Sequence, residues 1–217
     1  MHDQTDIRLD QLEDWLEIFF DDANFTLSKA SDDASFRRYF RIERSNLSFI
    51  AMDAPPEKEN SKLFVEIAEL LRDNNIHAPK IIDKDLEQGF LLIEDLGNTT
   101  FLQALDNKTD LNLYKLAIDE LVKIQQIDVA TYPLNQYNHD LLNTELELLI
   151  DWYLPKDINQ NSFANLRSLF DQLIQNSLSS PQVFVHRDYH CRNLMVTHEK
   201  ITVIDFQDAV CGPYTYD

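Results

Sequence analysis

Apolar positions along the first half of the chain change period several times. Residues 6–20, DIRLDQLEDWLEIFF, place Ile7, Leu12, Trp15, Leu16 and Phe19 at helical spacing, with Thr5 or Asp6 as the cap. The stretches 24–30, 35–44 and 47–54 then alternate and are rich in aromatic and branched residues, which predicts three strands. Ser45-Asn46 reads as the hairpin turn between the last two, and Pro55-Pro56 stops the sheet. ENSKLFVEIAELLRD follows as an amphipathic helix with Leu63, Phe64, Ile67, Leu70 and Leu71 on one face. Strands are predicted again at 80–85 and 89–95.

Past Gly97 the pattern is mostly helical. TTFLQALD is short, 111–127 is long and amphipathic, and 163–178 is a further helix. Thr144 and Glu147 have the spacing of a capping box for ELELLIDWYL. From Pro181 onward, QVFV, LMVT and ITVID are short strand pieces separated by polar loops. The expectation is an α+β chain in two lobes. Residues 1–96 form a sheet with one crossing helix, a hinge lies near 94–97, and 97–217 form a mostly helical lobe with late strands.

Composition narrows the classes. The chain has 217 residues, 44% hydrophobic and 11% aromatic, the profile of a globular protein. A net charge of −19 argues against a duplex nucleic-acid partner, which needs clustered lysine and arginine. A small phosphorylated ligand needs only a local positive spot, for which FRRYFR (36–41) and Arg192 are candidates. The only glycines are Gly89, Gly97 and Gly212, so neither GxGxxG nor GxxxxGK[ST] exists here. No apolar run is long enough to span a bilayer, the start lacks a signal-peptide pattern, and two cysteines make no disulfide framework. A cytoplasmic location without membrane attachment is expected.

The stretch VHRDYHCRN (185–193) holds the densest chemistry. Asp188 follows the apolar strand VFV, Asn193 precedes LMV, and Asp205 ends ITVI. A hairpin of LMV with ITVI would bring Asn193 and Asp205 to one end. One amide oxygen and one carboxylate with open positions suit octahedral Mg²⁺. Asp188 would then accept the proton of an attacking hydroxyl, completing the parts that phosphoryl transfer needs. Other readings compete. His186, His190 and Cys191 could form a zinc set, but no second cluster supplies further ligands. Cys191 lacks a recognisable elbow or base, so both cysteines read as small filler. Adjacent strand residues point to opposite sides, so one of Arg37 and Arg38 is expected on a solvated face. Trp152 and Tyr153 read as packing residues, with stacking on a sugar as the alternative.

HRDYHCRN followed by IDFQD resembles the H-x-D-x-H-x-x-N … D signature of the aminoglycoside-phosphotransferase-like branch of the protein-kinase fold. DASFRRYFR, MDAPPEKE, LEQGFLLIEDLG, ELELLIDWYL and VIDFQDAVCGPYTYD resemble the anomeric N-acetylmuramate/N-acetylglucosamine kinases of bacterial cell-wall recycling. The resemblance implies a bilobal kinase-like fold, ATP and Mg²⁺ as cofactors, and an amino-sugar hydroxyl as acceptor. Other kinases for small alcohols (choline, homoserine, aminoglycosides) and a non-catalytic nucleotide-binding module stand as alternatives. It also implies roles: Asp188 as catalytic base, His186 holding the loop, and Asn193 and Asp205 as metal ligands. The turn 31–38, with Ser31, Ser35, Arg37 and Arg38, would cover the triphosphate, and the backbone of Glu94, Asp95 and Leu96 would read adenine. His190, Arg192 and Asp208 would face the acceptor. Two positions depart from the family's pattern: Met52 stands where a phosphate-binding lysine is common, and Asp32 where glycine is. Family members also continue with further helices, so the second lobe is expected to be incomplete at Asp217.

Overall fold

Asp6 Oδ1 accepts the N–H of Leu9 and caps α1 (Ile7–Phe20). In this computed structural model residues 1–5, 32–35, 106–109, 131, 133, 155–159 and 198–199 lie outside the described residues, as does the side chain of Ser31. The contacts divide the chain into two units, Met1–Ala104 with Met195–Gln207 and Leu105–Leu194 with Asp208–Asp217.

The first unit is built on β1 (Thr26–Ser31), β2 (Arg38–Arg44), β3 (Leu47–Asp53), β4 (Ile81–Asp85) and β5 (Phe90–Glu94). These five strands form one antiparallel sheet in the order β1-β2-β3-β5-β4. Arg44 pairs with Leu47, so Ser45-Asn46 is the predicted two-residue turn, with Ser45 at φ 56°. Side chains alternate between faces. One face carries Phe40, Ile42, Ala51, Phe90 and Leu92, and buries them against Leu12 and Leu16 of α1. The other carries Tyr39 and Arg41, opposite Met52 and Ile50, which in turn face Leu91 and Ile93. Helix α2 (Ser61–Asp73) is capped by Asn60, whose side chain accepts the Leu63 N–H. Short α3 (Phe101–Ala104) follows.

In the second unit, α4 (Asp110–Gln125) is followed by β6 (Asn135–Gln136), α5 (His139–Leu148), a π-helical turn (Leu149–Tyr153), α6 (Gln160–Ser179) and β7 (Gln182–Val185). β10 (Val210–Pro213) lies between β6 and β7 in a small sheet. Tyr137, Leu142, Ile174, Val185 and Val210 form the core there. The expected capping box at Thr144 and Glu147 does not start the helix. Asn138 caps α5 instead, its side chain accepting the N–H of Leu141. Thr144 is therefore inside the helix, and its hydroxyl donates to the carbonyl of Asp140 at 2.8 Å. Trp152 and Tyr153 are 85% and 80% exposed, which corrects their reading as packing residues. They sit on the π-helical turn, none of whose residues is buried.

The predicted late hairpin is present as β8 (Leu194–Thr197) and β9 (Lys200–Val203). From Met195 to Gln207 it groups with the first unit, whereas the sequence reading assigned all of 97–217 to the second lobe. The reason is backbone pairing: Val196 N–H donates to Thr99 O at 3.0 Å, and Val203 N–H to His77 O at 2.8 Å.

Gly89 closes the β4–β5 turn at φ 77°, and a Cβ there would lie 2.0 Å from the carbonyl oxygen of Ala54. Gly97 also has a positive φ, 78°, but open space around it. Gly97→Ala is expected to cost about 1 kcal/mol from backbone strain alone, and Gly89→Ala about 3 kcal/mol from strain plus overlap. Urea unfolding of both variants measures this; equal losses would show that the approach to Ala54 does not matter.

Candidate active site

Strand β7 ends in an apolar run that buries Val185 and His186 and delivers the polar loop behind them to the surface. Within this loop, the carbonyl of Asp188 accepts from His190 N–H at 2.9 Å and from Asn193 Nδ2 at 3.2 Å. Asn193 N–H donates in turn to the carbonyl of His190 at 2.9 Å. Asp188 N–H donates to His186 Nδ1 at 3.3 Å. Asp188, His190 and Arg192 have exposed side chains on the loop.

Three anchors that the sequence did not announce hold this loop. Asp217 accepts the N–H of His186 at 2.6 Å and that of Arg187 at 2.9 Å, one on each carboxylate oxygen. Burial raises the Asp217 pKa; the two N–H donors oppose this, nearby Asp188 adds to it, and the net shift is upward. The Tyr189 hydroxyl donates to the carbonyl of Ala117 on α4 at 2.6 Å. Arg187 Nη2 donates to Glu145 Oε1 on α5 at 2.8 Å, while the hydroxyls of Tyr137 and Tyr216 bond to Oε2 of the same carboxylate. Burial, then the bond to Glu145, raises the Tyr137 pKa and keeps it a neutral donor. No local spacing signals these partners, because 31 residues separate Asp217 from His186 and 42 separate Arg187 from Glu145.

The first unit carries the remaining candidates except Asp208. Asp205 follows β9 in a left-handed conformation, φ 62°, and its Oδ1 accepts from Gln207 Nε2 at 2.8 Å. The next residue, Phe206, is fully buried against Phe64 of α2 with ring centroids 5.0 Å apart, which fixes the segment. Asp208 is exposed and belongs to the second unit. In the expected hinge, Glu94 N–H donates to Lys80 O at 2.9 Å and the Glu94 carboxylate accepts the Lys80 N–H at 3.1 Å. Asp95 Oδ1 accepts the N–H of Gly97 at 2.9 Å, and the carbonyl of Leu96 accepts from Thr197 Oγ1 at 3.5 Å.

The basic run 36–41 does not form a shared positive spot. Arg37 is buried in an ion pair with Glu59 at 2.7 Å, Arg38 spans Asp53 and Asp6, and Arg41 pairs with Asp95. Asp53 is fully buried and also takes Arg8, so two guanidiniums share it. Strand alternation is visible in exposure, Arg37 being buried and the Arg38 side chain 36% exposed, although both meet a carboxylate. Met52 is fully buried, with no cation at the place of the common lysine. Ser35 and Asp32 lie outside the described residues; Ser31 ends β1, opposite Tyr39.

Asn193, in the second unit, carries an amide oxygen and Asp205, in the first, a carboxylate, each a hard donor by type. The Asn193 amide nitrogen donates to the Asp188 carbonyl. Among the described residues no three His, Cys, Asp or Glu side chains come together as a ligand set. Also among them, no helix is long and apolar enough to cross a membrane.

Residues 26–217 match the model of the phosphotransferase enzyme family. The chain is 44% identical over 195 residues to an N-acetylmuramate/N-acetylglucosamine kinase of Pseudomonas aeruginosa, covering 88% of this chain and 57% of that protein. It is 42% identical over 228 residues to the protein of the same name from Pseudomonas putida, covering 99% and 67%. The chain thus spans about three fifths to two thirds of the length of these relatives. Among solved structures, choline kinase LicA from Streptococcus pneumoniae superimposes with a TM-score of 0.66 at 14% identity, over 95% of this chain and 70% of that one. The sheet, its helices and this likeness bear out the kinase-like α+β fold.

Replacing Asp217 by alanine removes the acceptor of two N–H groups. Amide hydrogen exchange at His186 and Arg187 is expected to speed up by at least about tenfold relative to the β7 amides. Unchanged protection would show that the loop is held without it.

Proposed function

This chain belongs to the phosphotransferase enzyme family, and on that footing we propose that it transfers the γ-phosphoryl group of ATP to a sugar hydroxyl. The preferred acceptor is the anomeric hydroxyl of N-acetylmuramate or N-acetylglucosamine. The observation that carries this reading is 42–44% identity to two kinases bearing those sugars in their names, over most of this chain.

Each residue then has a task. The Asp188 carboxylate, exposed on a loop braced from several sides, accepts the proton of the sugar hydroxyl and orients its oxygen toward phosphorus. That oxygen forms the new P–O bond as the bond to the ADP oxygen breaks. His186, buried, holds the Asp188 backbone. Asn193 and Asp205 are the residues that would hold Mg²⁺, which when bound neutralises charge on the transferring phosphate. The backbone of Glu94, Asp95 and Leu96 reads the adenine. Ser31, Ser35, Arg37 and Arg38 cover the triphosphate, the two arginines exchanging a carboxylate partner for phosphate. His190, Arg192 and Asp208 face the sugar.

Asp188→Ala is expected to lower kcat at least about a hundredfold while changing ATP binding little. The measurement is transfer of label from γ-labelled ATP to a panel of acceptors, with this chain as enzyme. Wild-type turnover by the variant would remove Asp188 from the chemistry. Label on choline or kanamycin but not on the amino sugars would overturn the choice of acceptor.

A further inference from the structure

The register of the sheet brings three polar side chains to one place beside the hinge. Arg41 faces Ile50, Ile50 faces Ile93, and Phe49 faces Glu94, so Arg41, Ser48 and Asp95 lie on one face at the same end. Their contacts are close. Arg41 Nε donates to Asp95 Oδ2 at 2.7 Å and Nη2 donates to Oδ1 at 3.0 Å, a planar two-point pair. The Ser48 hydroxyl donates to the same Oδ2. Both backbone groups of Gly97 are captured as well, its N–H by Asp95 Oδ1 at 2.9 Å and its carbonyl by Arg41 Nη2 at 3.2 Å. Asp95 is only 8% exposed, and Gly97 sits at φ 78°.

One guanidinium and one carboxylate therefore fix the start and the end of a three-residue backbone segment. We propose that Arg41, Ser48 and Asp95 form a clamp that holds residues 95–97 in the conformation which presents its backbone to a purine base, making them positioning residues for the nucleotide. The proposal rests on the reading of this chain as an ATP-dependent phosphotransferase. A base is recognised by backbone donors and acceptors whose strength falls steeply as distance and angle drift, so the shape of the segment sets affinity. Arg41 is thereby assigned to the base end of the nucleotide, although the sequence placed it in a run suited to phosphate. Depression of the Asp95 pKa agrees with this: burial opposes ionisation, but Arg41, Ser48 and the Gly97 N–H outweigh it.

The test compares the wild-type chain with Arg41→Ala, Arg41→Lys and Ser48→Ala. Calorimetry measures the binding of Mg-ATP and of Mg-tripolyphosphate, which has the phosphates but no base. Arg41→Ala is expected to weaken Mg-ATP by about tenfold and to leave Mg-tripolyphosphate within twofold of wild type. KM for ATP rises in step, while kcat and the acceptor KM hold. Arg41→Lys falls between, since an ammonium cannot reproduce the planar pair. Ser48→Ala removes one bond and no charge, and is expected to weaken Mg-ATP by about threefold. Equal losses for both ligands would move Arg41 to the phosphates and overturn the clamp. So would Mg-ATP affinity within twofold of wild type in folded Arg41→Ala, or in Ser48→Ala should the arginine variant not fold. A wild-type chain that binds no Mg-ATP sinks the nucleotide reading itself, and the clamp with it.

Discussion

Two backbone N–H groups, those of His186 and Arg187, point at the single carboxylate of Asp217, and the polar loop depends on this contact. Arg187 has φ 77°, a left-handed conformation that costs a side-chain-bearing residue about 1–2 kcal/mol. The two N–H bonds to Asp217 hold this strained turn in place. That turn reverses the chain after β7, sends Asp188 outward, and lets the Asp188 carbonyl gather His190 and Asn193. Glu145 then fixes the Arg187 side chain, and Ala117 takes the Tyr189 hydroxyl, so neighbouring residues of one loop are tied to different helices.

Charge is arranged by the same economy. A chain with net charge −19 has twice as many acidic as basic side chains, so an arginine folded into it meets a carboxylate before it meets a ligand. Arg37, Arg38 and Arg41 all do so. The fully buried Asp53 is tolerable only because Arg8 and Arg38 both donate to it, and removing either would leave a poorly compensated charge inside the sheet unit. These pairs fasten α1, the β2 strand and the hinge to one another. Positive charge in the sheet is thereby committed first to architecture, and a triphosphate would have to compete for it.

Membership in the phosphotransferase enzyme family accounts for the order of elements: a five-stranded antiparallel sheet with a crossing helix, then helices, then a loop and hairpin carrying polar residues. The relatives are longer, and the helices of the second unit expose apolar side chains such as Leu111, Ile118 and Trp152. The family gives the site residues their proposed roles, whereas the contacts within each unit explain why those residues stand where they do.

The alternation of β2, β3 and β5, the amphipathic stripe of α2, and the Ser45-Asn46 turn were legible in the sequence because each rests on neighbours a few residues apart, whereas of the apolar positions read on α1 only Leu12 and Leu16 are buried and Ile7 is exposed. The HRDYHCRN and IDFQD stretches were legible for the same reason, as local clusters of chemistry between apolar strands. Helix caps were less so: Thr144 and Glu147 had the spacing of a box, yet Asn138 took the helix start, since a cap is chosen by competition along the whole segment. What only the tertiary structure decided is which side chain each charged group meets. Asp217 under the loop, Glu145 against Arg187, and Asp95 against Arg41 join residues 30 to 54 positions apart. A polar side chain can satisfy its hydrogen bonds with any partner that folding brings within about 3 Å, and the linear order of residues carries no record of that distance.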